Sequence, residues 1–217
     1  MKYKLVCFDF DHTLTRELSA AEHASSFLGC QEDMACAEQE FRSGKLTTQQ
    51  FTDRFAGVFS GHTTGDVAAH MHHIPLVSEI AEIVTWIKSQ GARVVINTVG
   101  FRDLIVPLGA QFGFEAVSGV RLCTRDGRFD GGVEAYFKLE DKIAFASHEA
   151  SNVGGSLSEV IAIGDGLSDV PLFQSVGRSI AFNASPDVNA MADASAAGGS
   201  CNALMPALQS FFSEGVR

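Results

Sequence analysis

Apolar residues run in short unbroken blocks along this chain, with longer polar and mixed stretches between them. Residues 4–10, KLVCFDF, form the first block, and RVVINT (93–98), EVIAIGD (159–165) and RSIAFN (178–183) repeat its character. Short, continuous apolar runs predict strands buried on both faces, as in a parallel sheet. The intervals read as helices. VSEIAEIVTWIKSQG places Ile80, Ile83, Val84 and Ile87 on one face, with Gly91 as its stop. KLEDKIAFASHEA is a second such segment. Strands alternating with helices predict an α/β fold built on a doubly wound parallel sheet, where ligands bind at the carboxyl ends of the strands. Asp9, Thr98 and Asp165 all fall at such ends.

Residues 16–75 carry a different pattern. No strand is evident, only short helical stretches that end at Gly29, at Gly44, after the FSG of residues 59–61, and at Pro75. One of them opens with a capping box, Thr47 to Gln50, and aligns Phe51, Phe55 and Phe59 on a stripe that reads as a local core. The prediction is a small helical insert over 16–75, with 1–15 and 76–217 forming the α/β core. RLCTRDGRFDG (121–131) predicts a β-hairpin turning at Asp126-Gly127.

Composition narrows the function classes. The chain has 217 residues, enough for one domain with an insert and a core that needs no disulfides. Its net charge of −10 disfavours nucleic acid and anionic membrane as partners, and a phosphorylated ligand would need a local cation. The cysteines Cys7, Cys30, Cys36, Cys123 and Cys201 are scattered without a CxxC, as in reduced cytoplasmic proteins. No stretch reads as a signal peptide or a membrane span.

The candidate chemistry begins at Asp9 and Asp11. Two carboxylates so close repel by roughly 4 kcal/mol at 4 Å and an effective dielectric of 20. A bound divalent cation relieves this, as does a raised pKa on one partner, which makes it a general acid or base. Both remedies are open, because Asp11 lies past the strand end and can turn away from Asp9. IGDGLSD (163–169) supplies Asp165 at a strand end and Asp169 four residues on. NTVGF (97–101) supplies the Thr98 hydroxyl, and Gly100 offers backbone N–H groups to an anion. Lys138, placed at the start of a helix, balances phosphate charge. HMHH (70–73) spaces its histidines off any common helix face and lacks an acidic or cysteine partner, so it does not read as a metal site.

Taken together and in this order, acid pair, hydroxyl, lysine and acid pair, these motifs resemble the haloacid dehalogenase superfamily. Within it they resemble the phosphoserine-phosphatase-like branch, which carries a helical cap after the first strand. FDFDHTLT matches the first motif, TVGF the second, Lys138 the third and GDGLSD the fourth. The resemblance implies a phosphatase with Asp9 as nucleophile and Asp11 as acid and then base. It implies Mg²⁺ held by Asp9, the Asp11 carbonyl and Asp165, with Asp169 supporting. Thr98, Val99 and Lys138 would grip the phosphoryl oxygens.

The sequence departs from phosphoserine phosphatases at the substrate end. Their Ser-Gly-Gly-Phe is here Thr98-Val99-Gly100-Phe101, and Leu18 and Phe55 stand where their cap carries a Glu and an Arg. Glu17 and Arg54 are each one position away, and Arg42 is a further cation, so these three are the expected head-group residues. The expected activity is Mg²⁺-dependent hydrolysis of a small soluble phosphomonoester, with no nucleic-acid or membrane partner. A phosphotransferase using the same aspartyl-phosphate, and a non-enzymatic phospho-switch, are the alternatives; a dehalogenase proper has no need of the Asp11 acid.

Overall fold

The structure, a computed structural model, describes residues 2–214. Strands β1 (Leu5–Phe8), β2 (Arg93–Ile96), β5 (Val160–Gly164), β6 (Arg178–Phe182) and β7 (Ala194–Ala196) form one sheet in the order β2-β1-β5-β6-β7. Every pairing in it is parallel. The α/β prediction holds, and the four predicted strands are present. β7 lay outside it, because a three-residue Ala-Ser-Ala edge strand has no apolar run to announce it.

Register decides where the site forms. Phe8 of β1 pairs with Ile96 of β2 and with Ile163 of β5. The three central strands therefore end level, which sets Asp9, Asn97-Thr98 and Gly164-Asp165 side by side. The chain leaves β1 towards β2 on one flank and β5 on the other, the crevice where such sheets bind ligands. Alternation along β1 feeds two cores: Leu5 and Cys7 pack on one face of the sheet, Val6 and Phe8 on the other.

Helices α1 (Ala20–Leu28), α2 (Gln31–Arg42), α3 (Thr48–Phe55) and α4 (Thr64–Met71) occupy the segment after β1. Ser19 and Thr47 cap α1 and α3 through complete capping boxes with Glu22 and Gln50. Helices α5 (Ile80–Ser89), α6 (Arg102–Phe112), α7 (Asp141–Asn152), α8 (Val170–Phe173), α9 (Pro186–Asn189) and α10 (Met205–Ser213) accompany the sheet strands.

The hairpin of β3 (Arg121–Arg125) and β4 (Arg128–Ala135) turns through Asp126 and Gly127, both at positive φ, as a two-residue hairpin turn demands. It reaches across to the helical segment. Gly61 N–H donates to the Phe129 carbonyl and Thr64 N–H to the Gly127 carbonyl, each at 2.9 Å. The phenylalanine stripe is buried, but it is more than a local core. Phe59 packs on Phe101 and Phe129, and Phe51 on Phe101, so the stripe seals the helical segment against the rest of the chain.

Candidate active site

Asp9 is the first residue beyond β1, and its N–H donates to the Ile163 carbonyl, continuing the ladder that aims its side chain over the sheet edge. Its Oδ1 accepts a hydrogen bond from Lys142 Nζ at 3.0 Å. The same ammonium donates to Asp169 Oδ1 at 2.6 Å. Lys142 and Asp169 are 1% exposed and Asp9 7%, so this is an ion triad removed from water. Burial by itself pulls an ammonium towards neutrality, but Asp169 and Asp9 more than offset it and hold Lys142 above the usual lysine range.

The lysine of the site is therefore Lys142, not Lys138. The helix begins at Asp141 rather than at Lys138, whose N–H donates to Asp141 Oδ2 at 2.7 Å. Lys138 thus sits in the turn before α7, exposed, with its side chain on the rim of the cavity. A signal was present in the sequence: Ala146 and Ala150 form the buried face of α7, and stepping back four residues from Ala146 reaches Lys142.

Gly164 permits Asp169 to close in. A Cβ at Gly164 would lie 2.3 Å from the Asp169 carboxyl carbon, so only glycine fits. Asp169 Oδ2 also accepts the Gly166 N–H at 3.1 Å. Asp165 Oδ1 accepts from the buried Thr13 hydroxyl at 2.9 Å. Behind the triad, Asn97 donates to the Lys142 carbonyl at 2.9 Å, and Ser118 donates to Asn97 and to the Thr98 carbonyl. Thr13, Asn97 and Ser118 carry no motif of their own and were not foreseen.

Asp9, Asp165 and Asp169 present carboxylate oxygens that all lie within 4.8 Å of one another. Burial and then Asp169 push Asp9 well above the usual carboxylate range, and the same two causes raise Asp165 to about 7. That is the signature of a site short of positive charge. Asp169 is already satisfied by Lys142 and Gly166. Asp9 Oδ2 and Asp165 Oδ2 take no hydrogen bond from the described residues. Paired free carboxylate oxygens fit a hard divalent cation such as Mg²⁺.

Asp11 lies past the end of β1, in the turn that follows, and turns away from the triad. Its Oδ1 accepts the Ala20 N–H at 2.6 Å, and its Oδ2 faces Gly100, whose Cβ, if present, would lie 2.9 Å from it. Burial raises its pKa to about 6, against the pull of the Ala20 N–H. Thr98 is buried, and its hydroxyl accepts the Gly100 N–H at 3.1 Å.

These groups line a cavity of about 860 Å³ between the strand ends and the faces of α2 and α3. Val99, Gly100 and Arg42 line it too, but Glu17 and Arg54 do not. Glu17 is exposed outside the cavity. Arg54 lies on the outer side of α3, with its guanidinium 3.3 Å from Glu40 and 3.9 Å from Asp33. The structure thus does not bring these two expected head-group residues to the cavity: Glu17 precedes α1, and Arg54 projects from the face of α3 away from the buried Phe51 and Phe55. Arg42 is the one of the three at the cavity, its Nη1 donating to His12 Nε2 at 3.3 Å. A buried acid on the cavity wall, Glu38, escaped the sequence reading because EDMACAEQEFR scatters acids around the helix. His70 stacks on His23 at 4.6 Å while His72 meets Gln111, so the HMHH histidines turn to different partners.

The sequence pattern of haloacid dehalogenase-like hydrolases matches residues 6–174. The phosphoserine phosphatase of Methanocaldococcus jannaschii is 26% identical over 193 residues, covering 88% of this chain and 91% of that protein. The phosphoserine phosphatase of Halobacterium salinarum is 27% identical over 191 residues, covering 87% and 90%. Among solved structures, a phospho-aspartyl intermediate analogue of phosphoserine phosphatase superposes with a TM-score of 0.82 at 25% identity, covering 95% of this chain and 99% of that one. No helix among the described residues is long and apolar enough to cross a membrane.

Proposed function

Because the chain belongs to the haloacid dehalogenase-like hydrolase family, on its phosphoserine-phosphatase-like side, we propose that it is a Mg²⁺-dependent phosphomonoesterase working through an aspartyl-phosphate on Asp9. The observation that carries this reading is the buried Asp9–Lys142–Asp169 triad beside the free oxygens of Asp9 and Asp165. Phosphoryl transfer needs positioning and charge neutralisation, and a carboxylate nucleophile divides it into two easier steps.

In the first step Asp9 Oδ2 attacks phosphorus and the bond to the substrate alcohol breaks. Asp11 gives its proton to the departing oxygen. A carboxyl with its pKa raised to about 6 by burial still holds a proton on a useful fraction of molecules near neutrality. In the second step the ionised Asp11 takes a proton from water, the water oxygen attacks phosphorus, and the bond to Asp9 breaks to release inorganic phosphate. Lys142 keeps Asp9 oriented and opposes the rise of its pKa. Thr98, oriented by the Gly100 N–H, and the Val99 N–H serve the phosphoryl oxygens, and Lys138 and Arg42 at the rim draw the anion in. Asp9, Asp165 and the Asp11 main-chain carbonyl would hold Mg²⁺, which when bound neutralises charge building on the phosphoryl group.

The helical segment 16–75 acts in this reading as a cap that closes the cavity and selects the substrate, a small soluble phosphorylated metabolite. Phosphoserine is the first compound to test, since the relatives carry that name, although Leu18 and Phe55 leave the family's head-group positions apolar. The test is phosphate release over a panel of phosphorylated metabolites with Mg²⁺, and again after chelation. Turnover that needs Mg²⁺ and vanishes in Asp9→Asn is the expected result. An Asp9→Asn variant retaining more than about a hundredth of the wild-type rate, the scale of one missing polar group, would remove Asp9 as nucleophile.

A further inference from the structure

Beside the catalytic cavity lies a second, polar one of about 380 Å³, and Arg16 and Arg42 both line it. It opens where the chain leaves the α/β core for the helical segment. Thr15 bridges there to Leu76, and the Arg16 N–H donates to the Pro75 carbonyl at 3.1 Å. Arg16 therefore belongs to the linker, and Arg42 to the last turn of α2. Neither guanidinium has a carboxylate within ion-pair distance among the described residues, whereas those of Arg54, Arg93, Arg121 and Arg178 do.

Neutral groups position both guanidinium groups. His12 Nε2 accepts from Arg42 Nη1 at 3.3 Å. Arg16 rests over Gly199, where an added Cβ would lie 3.8 Å from its Nη2. That loop is braced in turn: Asn183, at a φ of 57°, accepts the Gly198 N–H at 2.8 Å and donates to the Gly198 carbonyl at 3.1 Å. Asp165 is the one acid among the described residues on this wall, and its carboxylate belongs to the cluster with Asp9 and Asp169. Two cations fixed around one polar cavity repel each other, and an anion accepting from both reverses that cost. The guanidinium fork matches a pair of oxygens, and a tetrahedral oxyanion has enough oxygens to meet two forks at once.

We propose that Arg16 and Arg42 form a second anion site, separate from the phosphoryl position at Asp9, that holds a free tetrahedral dianion of the size of inorganic phosphate and ties the linker to α2. Arg42 lies on the segment that covers the catalytic cavity and Arg16 on the linker that leads into it, so an ion held by both resists their separation. The binding does not depend on the phosphatase reading; under that reading the released phosphate supplies an occupant.

Sulfate is the probe, because it is a tetrahedral dianion that the proposed reaction neither consumes nor releases. The isotope-labelled full chain is titrated with sodium sulfate while the arginine Nε–H resonances are followed by NMR, against sodium chloride at matched ionic strength to account for screening. The Arg16 and Arg42 signals should move together and saturate at one Kd of roughly millimolar order. Arg16→Gln should weaken the Arg42 response by about tenfold or more, the scale of a lost charge-assisted hydrogen bond. Arg16 is exposed, so the fold is not the variable, and an unchanged denaturant midpoint checks this. Hydrogen exchange of the α2 amides should slow at saturating sulfate in the wild type and not in Arg16→Gln. An Arg42 response that is the same in both proteins, or that chloride reproduces, overturns the site. Sulfate binding that leaves α2 exchange unchanged overturns the tie. None of these readouts needs turnover, so sulfate binding at Arg16 in a chain that releases no phosphate would uphold the site and sink the phosphatase reading, and release without such binding would do the reverse.

Discussion

Lys142 Nζ lies 3.0 Å from Asp9 Oδ1, with both side chains out of water. That contact joins the second residue of α7 to the first residue beyond β1, and it also holds Asp169. Removing the cation would leave two buried carboxylates unpaired, a loss of roughly 3–5 kcal/mol for a broken buried pair. Lys142→Met is therefore expected to lower the denaturant midpoint and to abolish measurable turnover. Lys138→Met should leave stability within about 0.5 kcal/mol, as an exposed position does, and chiefly raise KM. Equal effects of the two variants on stability would contradict the assignment.

Gly164→Ala tests the backbone side of the same triad. Its new Cβ would fall 2.3 Å from the Asp169 carboxyl carbon, well inside contact distance, and both lie in tightly packed surroundings. Asp169 must shift and release Lys142 or the Gly166 N–H. The expected outcome is a loss of 1–3 kcal/mol or more, about the cost of overpacking, together with a fall in kcat. A variant with wild-type kcat and midpoint would show that Asp169 need not stand where it does.

Glu38 makes stability depend on pH. Burial, with Asp11 next, raises its pKa to about 7 from an ordinary 4.5. Between those values the folded chain binds more protons than the unfolded one, so this residue's contribution falls as pH rises through the window and is gone above about 7. Glu38→Gln removes the titration. Its stability relative to wild type, measured by denaturant unfolding without ligand, should grow from pH 4.5 to 7.5 by up to about 3 kcal/mol. A difference that stays flat across that range would mean Glu38 is ionised at little cost.

Arg54 should matter little. Its partners Glu40 and Asp33 are surface residues, and pairs of this kind contribute about 0–1 kcal/mol. Arg54→Ala is expected to leave KM for the best substrate within about twofold and stability within 1 kcal/mol. A tenfold rise in KM would return Arg54 to the substrate site.

The sequence by itself determined the alternation of strands and helices, the positions of four of the sheet strands and the hairpin turn. These are local matters: an apolar run of strand length, an Asp-Gly that tolerates positive φ, a Thr-x-x-Gln that caps a helix. It also placed Asp9, Thr98 and Asp165 at strand ends, with Asp11 and Asp169 a few residues beyond, because a polar residue that closes an apolar run stands out against it. Only the tertiary structure decided which lysine completes the set. Lys138 and Lys142 are both lysines beside one helix start, and the choice turned on where that helix begins and which of its faces meets β1 and β5. It likewise decided the cap wall. Glu38, Arg42 and Arg54 are charged residues on amphipathic helices, and whether such a residue meets water, a neighbour or a cavity depends on how the helix is rotated against the sheet, which residue spacing along one helix does not record.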